Sequence, residues 1–226
     1  MSIKDYLSKF HSIESRGTDS HFISFEGIDG SGKSTQINLF KKKLETMSYK
    51  VHYFREPGAT FLGEKLREVI LESNSPMSSL SEAFIFLASR IQNINANILP
   101  LMKENKSIVL MDRFIDSTLA YQCYGGSLSL ESLLKLHTLE PLFYTPDLTY
   151  WLDIDFKKSL KRRSKRDEEE DYFEKRKDQF MIDVSDGYHQ ISNLFPERIK
   201  RIQAEQNIDS VAEEIELSWK NYHANS

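Results

Sequence analysis

Residues 27–35 read Gly-Ile-Asp-Gly-Ser-Gly-Lys-Ser-Thr, and no other stretch of the chain restricts its fold so tightly. Gly27, Gly32, Lys33 and Ser34 occupy the fixed positions of the pattern G-x-x-x-x-G-K-[S/T]. That pattern works between a strand and a helix, where backbone N–H groups and the positive end of a helix dipole converge on one anion. The flanks meet the demand. Phe22-Ile23-Ser24-Phe25 alternates as a short buried strand, and Gln36 to Met47 reads as a helix. Glycine lets the loop fold around a phosphate with no Cβ in the way. Lys33 is placed to reach the β- and γ-phosphates, and the Ser34 hydroxyl to ligate Mg²⁺. The whole loop (Gly27, Ile28, Asp29, Gly30, Ser31, Gly32, Lys33, Ser34 and Thr35) is therefore expected to hold a nucleoside triphosphate.

The rest of the chain supplies the fold such a loop requires. Apolar strand candidates at 22–26, 51–54, 107–111, 148–154 and 199–203 alternate with helical patterns at 33–48, 60–73, 79–105, 114–123, 129–139, 156–163, 172–193 and 208–222. The alternation predicts an α/β chain with the P-loop NTPase fold, a five-stranded parallel sheet with helices on both faces. A length of 226 residues suits one domain, expected over 21–222, with residues 1–20 as a mobile extension and a lid around 157–172. The net charge of −4 argues against a nucleic-acid partner. No apolar run reaches the roughly 18 residues that span a bilayer. The single cysteine, Cys123, and the lack of a secretory pattern make a cytoplasmic location the expectation.

Four further clusters carry chemistry. Asp112 directly follows an apolar strand, where a carboxylate can hold Mg²⁺ or its water shell, and Arg113 follows it; a structural Asp–Arg ion pair reads the same residues. Arg55 and Glu56 stand just past another strand and would face the same crevice, unless they belong to a solvated turn. Glu82, Phe86 and Arg90 recur every four residues along one helix, with Gln92 close by. An aromatic ring beside a guanidinium suits a nucleobase, although core packing is the commoner reason for such a stripe. Finally, Lys157 to Glu170 is basic first and acidic after. As a bare charge run it reads as a solvated helix face, whereas an arginine segment closing over ATP would neutralise charge in phosphoryl transfer.

The order of these pieces resembles the thymidylate kinases: the loop, Arg55-Glu56-Pro57-Gly58, a Glu-Ala…Phe…Arg-x-Gln helix, Asp112-Arg113-Phe114, then Tyr121-Gln122. The resemblance runs from about Phe22 to Glu214 and includes Pro146-Asp147-Leu148-Thr149. It implies transfer of the γ-phosphate of MgATP to dTMP. By that resemblance Asp29 meets the deoxyribose 3′-hydroxyl, Phe86 stacks on thymine, and Arg90 bonds to the base edge. Arg55 and Arg113 grip the acceptor phosphate, with Glu56 in the same motif, and Ser117 is grouped with the acceptor-binding residues. Tyr121 crowds the 2′ position, with Gln122 beside it. Asp112 assists Mg²⁺ and the phosphates.

Family members that carry an arginine in the loop have it where this chain has Gly30, so the resemblance is to the bacterial-like type, which takes its catalytic arginine from the lid. Arg162, Arg163 and Arg166 are the candidates. The family also implies a homodimer. The chain departs from the family pattern at Ala59, Ser89, Tyr172, Asp183 and Ser185. Its rivals are a kinase of another nucleotide or nucleoside and a P-loop ATPase or GTPase switch. Against the switch stand the acceptor-site cluster and the lack of an Asn-Lys-x-Asp run.

Overall fold

Short runs of β-branched and aromatic residues, each ended by a charged or polar residue, become the strands of one sheet. The computed structural model describes residues 2–73, 75–164, 172, 173 and 176–224. Among these, strands β1 (His21–Glu26), β2 (Lys50–Arg55), β3 (Ser107–Asp112), β4 (Leu148–Asp153) and β5 (Ile199–Gln203) pair in parallel in the order β2-β3-β1-β4-β5. The helices are α1 (Ile3–Leu7), α2 (Lys33–Thr46), α3 (Phe61–Leu71), α4 (Ser79–Asn93), α5 (Leu99–Met102), α6 (Ile115–Thr118), α7 (Leu130–Leu136), α8 (Phe156–Arg163), α9 (Asp178–Leu194) and α10 (Ile208–His223).

β1 is buried along its whole length because both faces are covered. Ile23 and Phe25 point one way, and Phe25 meets Phe40 of α2, which in turn meets Trp219 of α10. Phe22, Ser24 and Glu26 point the other way, Phe22 onto Phe114 and Glu26 toward Ser117 and Tyr188. β1 and β3 are neighbours, yet the chain leaves them toward opposite edges of the sheet. Between their carboxyl ends lies the crevice where ligands of open α/β sheets bind. The phosphate loop follows β1 and Asp112-Arg113 closes β3, so both sequence signals come to one place.

The long helical pattern over 79–105 is interrupted. A wider π-type turn spans Ile94–Ile98, and the helical run ends at Met102. A second such turn, Leu119–Tyr124, continues α6 and carries Tyr121 and Gln122. The helix expected from 172 begins at Asp178, with Tyr172 and Phe173 in a preceding turn.

Nothing in the composition of residues 2–20 placed them against the body, yet they lie there. Tyr6 and Ile13 join the core. Arg16 forms a two-pronged ion pair with Asp147 at 2.7 and 2.9 Å, and Asp147 also accepts from the Phe22 N–H at 2.8 Å. The Gly17 N–H donates to the Met102 carbonyl at 2.8 Å. A Cβ at Gly17 would stand 2.2 Å from the Glu104 carbonyl oxygen, so only glycine permits this approach.

Candidate active site

The loop takes the shape its glycines allow. Gly27, Gly30 and Gly32 have φ of 134°, 83° and 99°, and Gly32 hands over directly to Lys33 at the start of α2. A Cβ on Gly30 would meet the Ser159 carbonyl oxygen at 2.6 Å and Arg163 Cγ at 3.0 Å. With α8 seated there, no side chain fits at position 30, an arginine least of all. Lys33 is buried, and its ammonium donates to the Gly27 and Ile28 carbonyls at 3.0 and 3.4 Å. Burial, and then the charge of Arg113, pull its pKa below the ordinary lysine value.

Arg113 sits at the hub. Its φ of 70° is left-handed, a strained conformation for a residue with a Cβ, and it turns the side chain back over the loop. One Nη2 donates to Asp29 Oδ1 at 2.7 Å, and Nη1 to the Gly27 carbonyl at 3.0 Å and Ser117 Oγ at 3.2 Å. Burial alone would raise the Asp29 pKa, but Arg113 and Lys33 hold the carboxyl well below its ordinary range. The Tyr121 ring lies under the guanidinium, 5.0 Å from its carbon.

Beside this hub is a carboxyl that the sequence reading missed. Glu26, the last residue of β1, is buried and accepts from the Phe114 N–H at 2.7 Å, Ser117 Oγ at 2.5 Å and the Tyr188 hydroxyl at 3.1 Å. Burial and the charge of Asp116 raise its pKa. Its sequence signal was a carboxylate that follows the apolar and hydroxylic run Phe22 to Phe25 and meets the first loop glycine.

Asp29, Gly30, Gly32, Lys33, Ser34, Arg55, Glu56, Phe86, Arg90, Asp112, Arg113, Ser117, Tyr121 and Gln122 all line one cleft. Gly27, Ile28, Ser31 and Thr35 belong to the loop behind it. Phe86, Tyr121 and Phe173 make the aromatic end; Phe173 lies 5.5 Å from Tyr121 edge-on and 6.0 Å from Phe86. Phe173 was hidden in the sequence by the charges around it.

Arg90 is almost fully buried. It donates to Glu56 at 2.8 Å, His137 at 3.0 Å and Thr118 at 2.8 Å, and stacks over Phe114. His137 is driven down to about 3, first by burial and then by the Arg90 charge, so its neutral ring accepts from Arg90 and donates from Nδ1 to the Leu133 carbonyl. Glu56 is thus the anchor of Arg90. Arg55 lies at the rim, paired with Glu64 at 3.0 Å.

Some departures from the family pattern have local accounts. Ala59 has φ 68°, a left-handed conformation that glycine adopts without strain. The Ser89 hydroxyl accepts from the Gly58 N–H at 3.2 Å. Tyr172 donates to buried Glu82 at 3.0 Å, and Arg176, four residues on, bonds to the same carboxylate. Arg176 also stacks on Tyr172, Phe173 and Phe180, holding the wall of the cleft.

Arg162 reaches across the loop from the last turn of α8, donating to the Ala204 carbonyl at 2.8 Å and the Ser31 carbonyl at 3.5 Å. Arg166 lies outside the described residues. The donor set fits Mg²⁺: Asp112 Oδ1 is buried without a hydrogen-bond partner, and Ser34 faces the same cleft. Both offer the hard oxygen ligands that this ion prefers.

A phosphate loop at the switch point of a parallel sheet, opening into a cleft with a charged end and an aromatic end, defines a P-loop enzyme of the nucleotide kinase class. The comparisons then name the family. The family model described as thymidylate kinase matches residues 25–215. A thymidylate kinase of Thermoanaerobacter sp. (strain X514) is 38% identical over 194 residues, 86% of this chain and 94% of that protein. One from Acinetobacter baylyi is 41% identical over 197 residues, 85% and 95% of the two chains. The crystal structure of thymidylate kinase from Ehrlichia chaffeensis superposes with a TM-score of 0.69 at 32% identity, covering 88% of this chain and 98% of that one. The chain belongs to the thymidylate kinase family.

Proposed function

We propose that the chain transfers the γ-phosphate of ATP to dTMP, giving dTDP and ADP. The observation that carries this reading is a single cleft with the phosphate loop at one end and Phe86, Tyr121 and Phe173 at the other, joined by the Arg113–Asp29 ion pair. In this reading residues 27–35 hold the ATP phosphates, and Lys33 reaches toward the β- and γ-phosphates. Arg113 and Arg55 hold the acceptor phosphate, and Asp29 holds the sugar 3′-hydroxyl. Phe86 supports the thymine ring. Arg90, Gln122 and Ser117 complete the acceptor site, and the buried, unpartnered Gln122 Oε1 is an acceptor suited to a base N–H.

An oxygen of the acceptor phosphate attacks the γ-phosphorus, and the bond to the β–γ bridging oxygen breaks, leaving ADP. That nucleophile is already an anion, so the protein's work is alignment and charge neutralisation. Ser34 and Asp112 are the residues that would hold Mg²⁺, which when bound with ATP neutralises charge on the phosphate oxygens. The segment around 157–172 acts as a lid in this scheme and supplies the catalytic cation from Arg162 or Arg166. The contact of Arg162 with the loop, and the lack of room at Gly30, support that choice.

A homodimer is proposed on the apolar residues that α3 and α4 leave outward, Phe61, Val69 and Phe84 among them. A cytoplasmic location is proposed on the free thiol of Cys123; among the described residues no helix is long and apolar enough to cross a membrane.

ADP formation measured with dTMP, dUMP, other monophosphates and no acceptor tests the reaction. We expect dTMP to give the fastest rate. Uracil lacks one methyl, worth about 1–3 kcal/mol in a pocket, so dUMP should be slower yet measurable. ADP formed equally fast without acceptor would turn the reading toward a switch ATPase.

A further inference from the structure

About 17 Å along β1 from the cleft, at the other end of the strand, three metal-ligating side chains from distant parts of the chain converge. Asp19 comes from the N-terminal segment, His21 opens β1, and His223 closes α10. We propose that Asp19, His21 and His223 form a site for a divalent transition ion of the zinc type, which fastens the N-terminal segment to the last helix.

The spacing suits a bound ion. His21 Nε2 and His223 Nε2 lie 3.2 and 2.9 Å from the same carboxylate oxygen, Asp19 Oδ1. All three ligand atoms fall within 4.8 Å of one another. Tetrahedral Zn²⁺ with bonds of about 2.0–2.1 Å places its ligands about 3.3 Å apart. Two of the three edges are therefore near their final length, and small side-chain rotations close the third. Two imidazoles and one carboxylate select zinc, cobalt or nickel over the harder magnesium and calcium.

The surroundings supply what such a site needs. The Tyr222 hydroxyl lies 3.5 Å from His21 Nδ1, where it can accept the proton and leave Nε2 free to face the ion. The Tyr49 hydroxyl stands 3.0 Å from both Asp19 oxygens and from His223 Nε2, poised to fill or border the fourth position. His223 lies in the last turn of α10, where the helix dipole favours a cation. Asp19 has φ 56°, a left-handed conformation adopted at some cost to bring its carboxylate here. The side chains of Asp19 and His223 are 30% and 40% exposed, which leaves a route for entry.

An ion bound only by the folded chain raises its stability. The full chain, stripped of metal by a chelator and free of nucleotide, is titrated with Zn²⁺ by calorimetry while its melting temperature is followed. We expect one ion per chain, a rise in melting temperature, and reversal by chelator. His223→Ala, at a partly exposed position, should fold normally and bind at least about a hundredfold more weakly, with the rise lost; Asp19→Asn should behave alike. Trp219 packs 5.0 Å from the His21 ring and 5.3 Å from the His223 ring, so Co²⁺ or Ni²⁺ binding here should quench its emission in the parent and not in His223→Ala. No Zn²⁺ binding, or equal binding by His223→Ala, overturns the site and leaves a hydrogen-bonded trio.

Discussion

The two ends of the cleft hold their arginines in opposite ways. At the phosphate end, Arg113 and Lys33 bond in part to the Gly27 and Ile28 carbonyls, partners that a phosphate oxygen can replace. At the base end, Arg90 is locked to a carboxylate, a neutral imidazole and a hydroxyl, all buried with it. In the proposed reading the first arrangement exchanges these partners for phosphate oxygens when ligand arrives. The second spends its charge inside the protein and presents a fixed wall. In the proposed reading, Arg113 can turn toward a ligand, whereas Arg90 meets one as a side chain already held by the protein.

The contrast breaks if substitutions at the two ends have the same consequence. Lys33→Ala should lower ADP formation about 10³-fold with every acceptor. Its thermal stability should stay close to the parent's, because a buried cation is removed while Asp29 keeps Arg113. Glu56→Ala should instead destabilise the fold by about 3–5 kcal/mol in urea unfolding, since it strands the buried Arg90 charge. A folded, inactive Glu56→Ala with unchanged stability would erase the distinction.

Proton linkage separates the two ends as well, through His137 beside Arg90 and Glu26 beside the phosphate loop, two buried groups whose pKa values move in opposite directions. His137 falls from 6.5 to about 3, so between those values the unfolded chain binds more protons and stability rises with pH. Glu26 is raised from 4.5 to about 7, so between those values the folded chain binds more protons and stability falls with pH. Between pH 4.5 and 6.5 the two slopes oppose. Denaturation of His137→Asn across this window should show stability falling as pH rises, and Glu26→Gln the reverse. Slopes of the same sign in both variants would show that these groups do not titrate as their surroundings dictate. The smallest effect is expected at the rim: Ala59→Gly should relieve the left-handed strain and stabilise the fold by about 0.5–1 kcal/mol.

The sequence showed the phosphate end far better than the base end. Glycines and a lysine at fixed spacing have one common explanation, and short runs such as Ile108-Val109-Leu110-Met111 have little choice but a buried strand. All five strands fell within two residues of expectation. A stripe such as Phe86 and Arg90 shows which helix face is turned inward, and nothing about who partners whom. His137 and Thr118 lie 47 and 28 residues from Arg90, so their bonds to it had no local signal. Residues 2–20 escaped for a similar reason: Arg16 is an ordinary surface charge until Asp147, 131 residues away, comes beside it.

The division of labour in the cleft is tested most directly by binding dTMP and thymidine, which differ by one phosphate, to the parent and to Arg113→Ala. If Arg113 serves the phosphate alone, the substitution should weaken dTMP by about 10²–10³-fold and leave thymidine within about twofold. Equal losses for both ligands would mean that Arg113 shapes the whole cleft, and would contradict the separation of its two ends.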